Sequence, residues 1–117
     1  MNDERRLRKR VNLSVYMVAT DAAMNNPLGN LIDISAAGFL LLTDHVPNQE
    51  GTLSINIKLP EPIENIEFIN CIAQIIRSKP SVKPKFYEVA FEITYASSQA
   101  KRIIETLQQQ WHLHLPE

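Results

Sequence analysis

A chain of 117 residues, 44% hydrophobic and 21% charged, suits one domain with a single core. Its apolar runs fall short of the ~18 residues of a membrane span, no apolar stretch follows the basic N-terminus as in a secretory leader, and its single cysteine excludes an internal disulfide, so a cytoplasmic protein is expected. The net charge of −1 conceals +3 on residues 1–10 and −4 on the rest, an asymmetry that favours a local anionic ligand over a broad nucleic-acid surface.

Residues 1–10 read as an extended or flexible basic arm, centred on Arg5-Arg6-Leu7-Arg8-Lys9-Arg10. From Val11 to Thr20 the pattern becomes that of a half-buried strand, with Val11, Leu13 and Val15 on one parity and Asn12 and Ser14 on the other. Asn25-Asn26-Pro27 signals a turn. Leu28–Ser35 resumes strand character, with Ile32 and Ile34 expected on one face and Asp33 and Ser35 on the other. Gly38 is expected to permit a tight reversal or a close approach of backbone to ligand. Phe39–Thr43 is the next strand and Asp44–Gly51 a loop.

Thr52–Leu59 alternates strictly, with Leu53, Ile55, Ile57 and Leu59 inward, and Pro60-Glu61-Pro62 is expected to stop it. Ile66–Arg77 reads as a long strand, Ser78–Lys85 as a loop and Phe86–Tyr95 as the last strand. The period then changes. Ser97 or Ser98 can cap a helix, and Ala100, Ile103, Ile104, Leu107 and Trp111 form one apolar stripe over about 97–113. The expected class is mainly β: a six-stranded antiparallel barrel whose open end or side the C-terminal helix covers.

Two segments carry chemistry. The Hoogsteen edge of guanine offers O6 and N7, which the arginine fork meets together, and guanidinium planes stack on purines. The Watson–Crick edge donates from N1 and N2, to which a carboxylate such as Asp33 is complementary. Ser35 can donate to a phosphate oxygen or ring nitrogen, and amides near Gly38 add donors if the turn exposes them. The residue types therefore match a guanine nucleotide held without a metal or a phosphate loop.

Arg6-Leu7-Arg8-Lys9-Arg10 fits RxxxR and Asp33-Ile34-Ser35-Ala36-Ala37-Gly38 fits DxSxxG. In this order, with a strand between them and a terminal helix, they resemble the PilZ domain family of bacterial cyclic di-GMP receptors. The likeness covers nearly the whole chain. DxSxxG alone would arise by chance in roughly 3% of chains this long, so the combination carries the resemblance. It implies a barrel with the ligand on its surface and the arm wrapped over it. Arg6, Arg10, Asp33, Ser35 and Gly38 would be the ligand-binding residues. An arginine at the position of Arg5 goes, among resembling proteins, with two stacked cyclic di-GMP molecules per chain. Many members carry glycine before the last strand's apolar residues; here Ala90 stands in that stretch, and its methyl is expected to be tolerated.

The implied function is a cyclic di-GMP receptor or adaptor, acting in signalling of the kind that controls motility and biofilm, with an effector protein supplied in trans and no nucleic-acid partner. Rival readings are an adaptor that has lost the nucleotide, a nucleic-acid-binding barrel using the arm, and a flavin-binding enzyme. Arg8 and Lys9 read as electrostatic helpers, Cys71 as core, and Lys79, Lys83 and Lys85 as solubilising charges. His112 and His114 lack a third ligand, so no metal is expected. No nucleophile or oxyanion hole stands at diagnostic spacing, so no enzyme is expected either.

Overall fold

The computed structural model describes residues 17–47 and 50–114, with side chains through 110. The arm, the Val11–Val15 alternation and Trp111, His112 and His114 as side chains lie outside what it describes. Six strands and one helix follow in order: β1 (Val18–Asp21), β2 (Asn26–Ile34), β3 (Gly38–Thr43), β4 (Leu53–Ile63), β5 (Ile66–Pro80), β6 (Tyr87–Ala96) and α1 (Ser98–His114). They close into an antiparallel barrel in the order β1-β2-β3-β6-β5-β4, with β4 returning to pair with β1. The expected architecture is the observed one.

Alternation fills the barrel. Ile55, Ile57, Ile69, Ala73, Val89 and Phe91 point inward and are buried. Met17 and Ala19 continue the parity of Val11, Leu13 and Val15 and are buried too. Phe39 and Phe91 stack across β3 and β6 with ring centroids 4.9 Å apart. Cys71 packs as a core residue, and burial pushes its thiol up to about 11, which keeps it protonated and unreactive.

The helix completes this core. Ala100, Ile103, Ile104 and Leu107 are buried and join the same cluster as the strand residues. Ser97 is the cap: its hydroxyl accepts from the Ala100 N–H at 3.0 Å. We expect Ser97→Ala to cost about 1 kcal/mol, read as a lower denaturation midpoint with an unchanged denaturant slope.

Several boundaries differ from the sequence pattern, two of them by several residues. Pro60-Glu61-Pro62 does not stop β4, which runs on to Ile63. All three residues are exposed and the β4–β5 register is irregular between Lys58 and Ile63, so the missing proline donors break no regular ladder. The hairpin turns at Glu64-Asn65, both at positive φ (54° and 64°), as a two-residue primed turn requires. Arg102 of α1 donates to Glu64 at 2.9 Å, which ties the helix to this turn and holds the Glu64 carboxyl below the usual range. Finally, β5 extends through Pro80, so the loop is shorter than Ser78–Lys85; Lys79 pairs with Glu88 at 3.9 Å, and Lys83 lies 4.2 Å over the Phe86 ring.

Candidate functional site

A β-bulge decides where Asp33 points. In β2, Leu31 pairs with the inward Leu41, and then both Ile32 and Asp33 stand opposite Leu40. The extra residue shifts the parity. Ile34 comes to face Phe39 in the core, at 1% exposure, while Ile32 is 36% exposed. The expectation that Ile32 and Ile34 share a face is therefore corrected: Leu31 and Ile34 are the inward pair, and Asp33 is exposed on the outer surface.

The DxSxxG segment is the β2–β3 hairpin turn. Ser35 and Gly38 exchange backbone hydrogen bonds, Ser35 N–H to Gly38 O at 2.8 Å and Gly38 N–H to Ser35 O at 3.2 Å. The Ser35 hydroxyl also accepts from the Ala37 N–H at 3.2 Å and makes a long, 3.4 Å donation to Gly38 O. It braces the turn, and its weak donor bond is the one a ligand oxygen would replace. The Ala36 N–H takes part in none of these bonds. Beyond the turn, Ile93 N–H donates to Ala37 O at 2.9 Å and fastens the hairpin to β6.

Gly38 has a different reason from the one expected. It is not in the left-handed region. A Cβ there would overlap the Phe91 carbonyl oxygen and lie 3.3 Å from Glu92 Cα. Glycine is needed because β6 passes against the turn.

These residues open into a cleft of about 630 Å³ on the outer face of β3, β6 and β5. Asp33, Ser35 and Gly38 line one side. The floor is apolar, made by Leu40 and Ala90, which are paired neighbours. Ala90 points outward between the inward Val89 and Phe91, and is only 8% exposed because its neighbours crowd the small side chain. The chain enters the barrel beside this site: the Met17 carbonyl accepts from the Leu31 N–H at 2.7 Å, two residues from Asp33. Arg5, Arg6 and Arg10 lie outside the described residues.

The far side of the cleft was missed in the sequence. It is formed by Ile76 and Arg77 of β5, which by pattern alone are ordinary strand residues. Among the described residues no cluster of His, Cys, Asp and Glu is arranged to hold a metal, and no helix is long and apolar enough to cross a membrane.

The match to known families decides what scaffold this is. The model of the PilZ domain covers residues 4–110, nearly the whole chain, both motif segments included. The chain belongs to the PilZ domain family. That family consists of regulatory binding domains that serve as cyclic di-GMP receptors, and no catalytic family is implicated. Among solved structures, this PilZ domain is similar to the Bacillus subtilis inhibitor of motility, MotI/DgrA, with a TM-score of 0.65 and 19% identity. The similarity covers 84% of this chain and 46% of that one, so the PilZ domain spans less than half of its structural neighbour's length. At that identity the likeness bears on the fold. No curated protein matches the sequence significantly.

Proposed function

We propose that this PilZ domain is a cyclic di-GMP receptor whose ligand lies in the cleft between the β2–β3 turn and the outer face of β3, β6 and β5. One observation carries the reading: the exposed Asp33 carboxylate and the Ser35–Gly38 turn share an open cleft with the apolar Leu40 and Ala90, in a member of a cyclic di-GMP receptor family. A planar base rests on Leu40 and Ala90. Asp33 accepts from the guanine Watson–Crick edge, and the Ser35 hydroxyl and Ala36 N–H face the phosphates. Ala90, where relatives often have glycine, adds only a methyl to that floor.

Arg6 and Arg10 supply the remaining charge, with Arg5 serving a second guanine layer, so two stacked ligand molecules bind per chain. The bond between Leu31 N–H and the Met17 carbonyl sets the first described residue beside the Asp33 end of β2, which supports this reading. Ligand binding folds the arm over the barrel and changes the surface offered to an effector protein in trans, in the cytoplasm. Inhibition of motility, named for the structural neighbour, is one output of this kind. The nucleic-acid reading loses ground to an acidic residue on the wall of the cleft.

Calorimetric titration with cyclic di-GMP tests this, with GTP and cyclic di-AMP as controls. Saturable heat is expected for cyclic di-GMP alone, with two ligands per chain. No heat overturns the receptor reading, whereas one ligand per chain overturns only the stacked pair.

A further inference from the structure

A single transverse row crosses the cleft. Asp33 of β2 stands opposite Leu40 of β3, Leu40 opposite Ala90 of β6, and Ala90 opposite Arg77 of β5. The row has a carboxylate at one end, a guanidinium at the other and an apolar middle. At three strand spacings, its ends lie about 14 Å apart along the sheet.

Arg77 reaches this position by the same device as Asp33. Ile69, Cys71 and Ala73 face inward, and Ile75 packs against the core opposite the inward Phe91. Unbroken alternation would drive Arg77 inward next. Instead the register shifts between Ile75 and Arg77, so Ile76 and Arg77 both stand opposite Ala90. The bulge turns Arg77 out into the cleft and leaves Ile76 53% exposed. Two bulges, at Ile32 and Ile76, thus flank the central strands and aim opposite charges at one floor; bulges of this kind re-aim side chains beside functional sites.

The charges around Arg77 leave it free for a ligand. Glu92 accepts from Gln74 at 3.1 Å, and Glu88 pairs with Lys79. Among the described residues Arg77 has no ion pair or hydrogen-bond partner of its own.

We propose that Arg77 is a specificity-determining binding residue, whose fork takes O6 and N7 of the guanine farthest from Asp33. This rests on the cyclic di-GMP reading above. Asp33 selects the donors on one guanine, and Arg77 selects the acceptors on the other. An adenine at the far wall presents N7 together with an N6 amino donor, which opposes a guanidinium. A lysine, as a point charge, cannot replace the fork.

The test compares cyclic di-GMP with 3′,3′-cyclic GMP-AMP, which keeps one guanine for Asp33, in calorimetric titrations of wild type, Arg77→Met and Arg77→Lys. Wild type is expected to prefer cyclic di-GMP by about tenfold, the discrimination of one bidentate base contact. Arg77→Met should lose about tenfold for cyclic di-GMP and little for the mixed dinucleotide, so the preference disappears, and Arg77→Lys should lose it as well. Arg77 is exposed, so both variants keep the fold. If wild type binds cyclic di-GMP and Arg77→Met weakens both ligands equally or neither, or Arg77→Lys retains the preference, the role of Arg77 is overturned and the receptor reading stands. If wild type binds no cyclic di-GMP, both fall.

Discussion

Asp33→Ala is expected to weaken cyclic di-GMP binding by about 30–150-fold, with no loss of thermal stability. The magnitude follows from removing hydrogen bonds to a charged acceptor, about 2–3 kcal/mol once guanine donors are left without a partner in a covered site. Stability should hold because Asp33 is exposed on the outer face and enters no hydrogen bond or ion pair with another described residue. Asp33→Asn sharpens the result. It keeps the shape but loses the charge and replaces one acceptor by a donor that faces the guanine donors, so it should bind nearly as poorly as alanine. Binding of Asp33→Ala within about threefold of wild type would mean that the guanine edge is not read here. The comparison separates this site from a nucleic-acid surface, where removing an acidic residue leaves affinity unchanged or raises it.

The scaffold was legible wherever side-chain period decides structure. Leu53, Ile55, Ile57 and Leu59 face the core as their alternation requires, and the stripe of Ala100, Ile103, Ile104 and Leu107 is buried. The turn that carries Asp33, Ser35 and Gly38 stands where its motif placed it, between β2 and β3. The bulges were not legible, because one additional isoleucine in a strand carries no compositional mark. Their effect is large: each reverses the parity of every residue beyond it. At Ile32 the reversal exchanges which isoleucine is buried. At Ile76 it converts Arg77 from an apparent inward position into a wall of the cleft. Prolines misled for a related reason. Pro60 and Pro62 break a ladder only where a neighbour needs their donors, and the exposed end of β4 has no such regular pairing.

Gly38→Ala is expected to be the most destabilising change in the motif, by about 3 kcal/mol, with a fall in Tm of about 10 °C or more. An added methyl would overlap the Phe91 carbonyl oxygen, and the next contact is the Glu92 Cα at 3.3 Å. Both are backbone, so no rotamer change relieves the overlap and β6 itself must move. Gly38 pairs with Glu92, and Phe91, one residue away, stacks on Phe39 in the core, so the displacement reaches the packed interior. The same shift lifts β6 under the cleft floor at Ala90 and weakens ligand binding as a consequence. Ligand-free protein separates cause from effect. If the glycine serves β6, the Tm of Gly38→Ala falls without ligand, and saturating cyclic di-GMP recovers only part of it. If the glycine exists to let a ligand approach the backbone, the ligand-free Tm stays at the wild-type value and only affinity drops. The overlap with Phe91 predicts the first outcome; an unchanged ligand-free Tm would contradict it.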